Sequence, residues 1–176
     1  MKKRRFLALL ALLLGGCAGA PQGVEPVTGF QLERYLGTWY EIARLDHSFE
    51  RGLSRVTAEY SLRDDGGIRV VNRGFNETNG EWKQAIGRAY VTGAADVGAL
   101  KVSFFGPFYG GYNVIALDRD GYRWAMVCGP SRDYLWILAR SPRLDGEVYR
   151  QLVAGARQLG FAVEGLIEVR QVPEAY

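Results

Sequence analysis

Between residues 38 and 140 the chain is a series of short strand-like runs broken by turn residues, with no long helical pattern among them. The runs fall at 38–46, 53–63, 68–76, 81–92, 100–105, 112–118, 122–128 and 134–140. Asp64-Asp65-Gly66-Gly67, Asn79-Gly80, Asp120-Gly121 and Gly129-Pro130 punctuate them. Such residues accept the backbone conformations that tight hairpins demand. Parallel strands need crossovers of roughly a dozen residues or more, usually helical. The connections here are too short for that, so the strands must pair as an antiparallel meander.

The period changes after the last run. Val148, Leu152, Ala156 and Leu159 recur at helical spacing within 145–159, and Gly160 is placed to stop the helix. Residues 164–172 are predicted to form a ninth strand. The expected fold is all-β: an eight-stranded antiparallel up-and-down β-barrel with one C-terminal α-helix packed outside.

Side-chain alternation says something about the interior. In 56–62, Val56, Ala58, Tyr60 and Leu62 share one face, and Thr57, Glu59 and Ser61 the other. In 81–91, Ala85, Gly87, Ala89 and Val91 share a face. A barrel packed solid would want bulk there, so small residues predict open volume. In 134–140 both faces are apolar, which predicts a cover of helix on the outside.

The N-terminus reads as an address. Lys2, Lys3, Arg4 and Arg5 precede nine unbroken apolar residues, 6–14, and then Gly15, Gly16 and Cys17. Charged, apolar, then small is the order of a secretory signal. Nine residues rise only about 14 Å as a helix, short of the roughly 30 Å hydrocarbon core of a bilayer. Without residues 1–16 the chain carries 18 basic and 19 acidic side chains, a formal charge of −1. That balance argues against nucleic acid as a partner. Residues 17–28, with Pro21 and Pro26, read as a flexible linker, and 29–176 as the folded domain. Only Cys128 then remains as a free thiol, and it reads as a buried apolar side chain.

Leu14-Gly15-Gly16-Cys17 resembles the lipobox of bacterial lipoproteins. The resemblance implies cleavage before Cys17, a diacylglycerol on its thiol and an acylated N-terminus. With Ala18 and no Asp after the cysteine, it implies sorting to the outer membrane of a Gram-negative cell, facing the periplasm. The other reading is an ordinary signal peptide with a chance cysteine.

Three further motifs point to one family. Gly37-Thr38-Trp39 follows a short helical turn, YNVIALDR at 112–119 places Asp118 at an acidic position, and YLWILARSP at 134–142 contains Arg140 just before the helix. These resemble the signatures of the lipocalins, and FFGPFYGGYNVIALD at 104–118 is similar to bacterial lipocalins related to apolipoprotein D. Leu117 and Arg119 depart from the commonest residues of the second signature. The resemblance implies that Trp39 plugs the closed end of the barrel with Arg140 across its indole. Gly37, Trp39, Asp118 and Arg140 are then structural.

With the closed end so placed, the loops at 46–53, 76–81, 106–111 and 128–133 surround the mouth. Phe49, Arg51, Phe108, Tyr109 and Arg132 are its expected rim, with His47 on the same loop as Phe49. Parity and resemblance together give an inner wall of Ala58, Tyr60, Ala85, Ala89, Val102, Phe104, Tyr112, Val114, Tyr134, Trp136 and Leu138. Glu41 shares parity with Trp39 and would need a buried partner.

An apolar well with an aromatic and cationic rim suits an amphiphile. The resemblance implies fatty acids, palmitate among them, or lysophospholipids as ligands, stored or transported in the cell envelope, and a homodimer as a possible assembly. No cofactor and no metal site is expected, since HxxxH, CxxC and GxSxG are all missing from the sequence. The alternatives are a lipid-modifying enzyme built on Cys128, His47 and Asp118, or a structural envelope barrel without ligand.

The N-terminal reading has a direct check. Wild type should fractionate with membranes and incorporate a labelled fatty acid precursor, whereas Cys17→Ser should do neither by the lipoprotein route. Stable anchoring needs two or more acyl chains, because one chain binds membranes with K only on the order of 10⁴ M⁻¹. Equal labelling of the two proteins would refute it.

Overall fold

The structure, a computed structural model, describes residues 19–171. Cys17 and the signal segment 1–16 lie outside the described residues, as do 172–176. A one-turn helix, α1 (Leu32–Tyr35), leads into eight strands: β1 (Gly37–Arg44), β2 (Leu53–Leu62), β3 (Ile68–Asn76), β4 (Glu81–Val91), β5 (Ala99–Ser103), β6 (Gly110–Leu117), β7 (Trp124–Cys128) and β8 (Leu135–Ala139). Each pairs antiparallel with the next, and β1 pairs with both β2 and β8. The sheet therefore closes on itself, and Tyr40 bonds opposite Thr57 on one side and Ala139 on the other. Closure of the ring leaves no long unpaired edge.

The longer helix α2 (Gly146–Gln158) lies outside, and its N-terminus is capped by Asp145, whose carboxylate accepts from the amides of Glu147 and Val148. It buries Leu152 and Ala156 against the outward side chains of β7 and β8, among them Met126, Cys128, Leu135 and Ile137. The double apolar face of β8 is thus shared between the barrel interior (Trp136, Leu138) and this outer layer (Leu135, Ile137).

Two expectations are corrected. The ninth strand shrinks to β9 (Ile167–Glu168), preceded by a 3₁₀ turn at Val163–Gly165, because it has only Ala43 and Arg44 to pair with. The described part of the expected linker, 19–28, is packed rather than loose. Val24 is buried in the outer layer beneath α2, and Val27 exchanges hydrogen bonds with Val114 and Gly98. Its prolines and glycines shape a path along the barrel wall, where sequence composition alone suggests a leash.

The closed end is sealed as expected. Trp39 is fully buried, and its indole N–H donates to the carbonyl of Tyr35 at 2.8 Å. The Arg140 guanidinium sits 4.0 Å above the indole ring. Its nitrogens also donate to the carbonyls of Thr38, Arg34 and Leu36. Gly37 adopts φ +93°, and a Cβ there would stand 3.3 Å from Arg140 Nη1. Any side chain at this position would be strained and would crowd the guanidinium. Asp118 ties the β6–β7 turn by accepting from the amides of Gly121 and Arg123 and from the Arg123 side chain at 2.6 Å.

Trp39→Ala should destabilise the protein by about 3–5 kcal/mol, the range for removing a buried large aromatic. Arg140→Ala should cost less. In urea denaturation the double variant should lose less than the two single losses added together, because the pair touch; strict additivity would contradict the geometry.

Candidate functional site

Above the sealed end the barrel is hollow. The cavity has a volume of about 660 Å³ and opens between the loops at 45–52, 104–109 and 129–134. Its wall takes in Ala58, Tyr60, Ala85, Ala89, Val102, Phe104, Tyr112, Tyr134, Trp136 and Leu138, as strand parity predicts, together with Ile68, Val70 and Leu100. Val114, expected in this set, does not reach the cavity; it is fully buried in the packing around Trp39 and Tyr35. Gly87 also contributes no open space. A Cβ on it would lie 2.7 Å from the Ser103 carbonyl oxygen and 2.8 Å from the Phe104 ring, so Phe104 already fills that volume. The free space lies higher, beside Ala85.

Polar atoms inside are few and mostly paired with one another. Deep in the cavity the hydroxyl of Tyr112 lies 2.7 Å from that of Tyr35 and 2.8 Å from that of Tyr60. Burial raises the pKa of all three, so the cluster is neutral and offers hydroxyls to a ligand rather than charge. Asn72 also faces the cavity, with its side-chain oxygen unbonded within the protein.

Nearer the mouth lies a buried ionic cluster. Glu41 finds its partner in Arg44, whose Nη1 donates to Oε1 at 2.8 Å. In a regular strand residues three apart point to opposite faces. A bulge between Glu41 and Ala43 breaks the alternation, so that Glu41 pairs beside Leu138 and Arg44 beside Trp136, both on the inner face. Arg44 Nη2 then donates to the carbonyls of Glu50 and Leu53, pinning the β1–β2 loop over the mouth. The Glu50 carboxylate accepts from the Trp136 indole at 3.1 Å. His47 Nε2 lies 3.0 Å from the same carboxylate but outside hydrogen-bonding geometry. Parity placed Glu41 inward but missed Arg44 as its partner, because no residue in 41–44 announces a bulge.

The rim departs from expectation at its cations. Phe49, Phe108 and Tyr109 stand at the mouth, and Phe49 stacks on His47 with ring centres 3.9 Å apart. Arg51 does not line the opening; it forms an exposed pair with Asp46 five residues back in the same loop. Arg132 points away from the mouth altogether, donating to the carbonyls of Leu159 at the end of α2 and of Gln22 in the N-terminal segment. An unpaired helix end offers free carbonyls, and they capture this guanidinium. The cation at the opening is instead Lys83 of β4, on the same face as Ala85, which the sequence reading did not single out; Arg73 of β3 bonds Gln84 on the outer face.

The Cys128 thiol has no catalytic setting. It is fully buried on the outer face beneath α2, and burial pushes its pKa up to about 12. Asp118 sits at the closed end, remote from His47 at the mouth, so the three groups of the enzyme alternative do not meet.

A sealed barrel with a hollow, largely apolar interior and a single open end defines a binding protein for small hydrophobic molecules. The family model described as a lipocalin-like domain matches residues 30–171, and the chain belongs to that family. It is 59% identical to the outer membrane lipoprotein Blc of Escherichia coli over 166 residues, 93% of each chain. Apolipoprotein D of Rattus norvegicus is 32% identical, with 79% of this chain and 74% of that protein covered. Among solved structures, insecticyanin from the tobacco hornworm Manduca sexta superposes with a TM-score of 0.70 at 25% identity, covering 89% of this chain and 88% of that one.

The Glu41 carboxyl is held well above the usual carboxylate range, by burial first and by neighbouring Glu50 second, against the pull of Arg44. A raised folded-state value means that folding takes up a proton here. The stability it carries is complete below the unfolded value, about 4.3, and is lost as pH rises through the folded one. Glu41→Gln keeps an acceptor for Arg44 and removes the titration. Its stability should therefore gain on wild type as pH rises from 5 to 8, by up to about 1.4 kcal/mol per pH unit. Urea midpoints across that range measure the gap; a constant gap would show that Glu41 does not titrate there. The carboxylates of Asp65, Asp118 and Glu77 are lowered by their arginine and other hydrogen-bond partners, so they lose stability at the acid end and do not confound the test.

Proposed function

We propose that this protein holds the acyl chain of a fatty acid or lysophospholipid in its barrel, as a lipoprotein of the Gram-negative outer membrane facing the periplasm. The observation that carries the reading is the open cavity of about 660 Å³, apolar along its wall and polar only deep inside and at the mouth. Each methylene buried there contributes roughly 0.8 kcal/mol before binding costs. A ten-carbon contact therefore supplies about 8 kcal/mol before those costs, the scale of micromolar binding as an upper bound. Lys83 at the mouth suits a phosphate or carboxylate head that stays near water. The name of the Escherichia coli relative and the Leu14-Gly15-Gly16-Cys17 motif support the location. Two or three acyl chains on Cys17 would keep the protein at the membrane through storage or transport of lipid.

Extraction of lipid from gently purified protein, followed by mass spectrometry, tests the ligand class. Titration with a lysophospholipid while following tryptophan fluorescence tests the site, since Trp136 lines it. Ala85→Trp should lower affinity at least tenfold while circular dichroism still reports a folded barrel. A folded variant that binds as tightly as wild type would move the site elsewhere. Wild type that binds neither lysophospholipid nor fatty acid up to ~1 mM, worth only about 4 kcal/mol, would end the proposal.

A further inference from the structure

Asn72 stands on the inner face of β3 among side chains that give its amide nothing to bond. Its cross-strand neighbours are Ala58 of β2 and Ala85 of β4, and its neighbours along the same face of β3 are Val70 and Gly74. Residues directly opposite one another in a sheet are each other's nearest side-chain neighbours. None of these four carries a polar side-chain atom, and all four line the cavity together with Asn72. The Asn72 Oδ1 is buried and accepts no hydrogen bond among the described residues. The tyrosine hydroxyls, Glu41 and Glu50 are by contrast committed to partners. A buried acceptor without a donor costs free energy. Leucine has nearly the volume of asparagine and would carry no such cost, so packing alone does not account for an amide here.

The depth of Asn72 supplies an independent observation. One step toward the closed end, the inward pair is Val70 with Tyr60, a member of the tyrosine cluster; one step toward the mouth, it is Gly74 with Lys83. Each step is two residues of strand, about 6.8 Å. The amide therefore sits just below the cation at the opening, on the stretch of wall that an acyl chain passes when its anionic head stays beside Lys83. The terminal torsion of asparagine is broad, so the amide turns its oxygen inward at little cost when a donor arrives. An alkyl chain brings no donor. A hydroxyl brings one, and it also accepts from the amide nitrogen.

From the unpaired oxygen and its depth we infer that Asn72 forms a subsite for a hydroxyl on the bound acyl chain, close to the anionic head. The barrel then favours a 3-hydroxy acid over the plain acid of the same length. The inference rests on the reading of the cavity as an acyl-chain site. A carboxylate about 2.8 Å from the Lys83 ammonium and a hydroxyl about 2.8 Å from the amide, with the hydroxyl two carbons below the carboxyl carbon, bridge a step of this size. The preference runs against solubility. A hydroxyl makes the free acid more comfortable in water, so an apolar wall without Asn72 would select the plain acid. Discrimination arises because the plain chain leaves a polar group of the site unpaired, whereas the hydroxylated chain pairs it.

The test titrates the full chain, stripped of lipid, with tetradecanoic acid and with 3-hydroxytetradecanoic acid, following tryptophan fluorescence because Trp136 lines the cavity. Wild type should bind the hydroxy acid more tightly. In Asn72→Leu the order should reverse, with the plain acid held at least as tightly as by wild type. The ratio of the two Kd values should move at least fivefold between the proteins, the scale of one hydrogen bond. A smaller movement, or a wild type that prefers the plain acid, overturns the inference. Asn72→Ala removes the same oxygen and matches its neighbours Ala58 and Ala85; it is scored in the same way should Asn72→Leu fail to fold by circular dichroism. Lysophosphatidylglycerol and its 2-deoxy analogue are run beside the acids. A ratio that moves for that pair and not for the acids overturns the assignment to the chain, since the hydroxyl recognised would belong to the head. Wild type that binds tetradecanoic acid without regard to the hydroxyl overturns the inference alone, whereas wild type that binds neither acid nor lysophospholipid overturns it together with the acyl-chain reading.

Discussion

The hollow interior exists because one end of the barrel is sealed by the contact between Trp39 and Arg140. A guanidinium over an indole contributes about 0.5–2 kcal/mol, but its placement matters more than its energy. The same guanidinium collects the carbonyls of Arg34, Leu36 and Thr38, so one side chain fastens α1, β1 and the end of β8 together. Trp39, Tyr35 and the residues packed on them then fill the lower barrel. With stability concentrated there, the upper half can leave volume empty, as the small side chain of Ala85 does beside the cavity.

The upper half keeps its shape by polar means. Arg44, almost fully buried, holds the β1–β2 loop through two carbonyls and the wall through Glu41. Buried ion pairs rarely add net stability, because desolvation offsets the attraction. Their value here is positional: they fix the loop that carries Phe49 and Glu50 at the opening without filling the cavity. The tyrosine cluster below does the same for the interior, presenting hydroxyls at set positions while remaining uncharged.

Much of this was legible in the sequence, and the parts that were not have identifiable causes. Strand positions followed from turn residues, and inward faces followed from alternation as far as β2, β4 and β8. Alternation fails at bulges. The shift in β1 turned Arg44 inward to meet Glu41, and another in β6, between Val114 and Ala116, belongs to the same class of local event. Loop cations were misread for a different reason. A sequence locates Arg51 and Arg132 at the mouth but does not say which acceptors compete for them. A carboxylate five residues away captured one and the carbonyl end of α2 captured the other. Composition likewise misjudged 19–28, where prolines and glycines mark a fixed path along the wall.

The closure of β1 on β8 has a consequence in time. Tyr40 pairs with Ala139, and Arg44 with Trp136, so the first strand finds one of its two neighbours only after about a hundred further residues have been made. At a synthesis rate of about 5–20 residues per second, that interval is several seconds at least. Until then β1 has β2 alone beside it, the Arg140 seal is missing and the cavity has no floor. Pairings this remote in sequence are slow to form even in a finished chain. The nascent protein therefore stays open until β8 and Arg140 have been made.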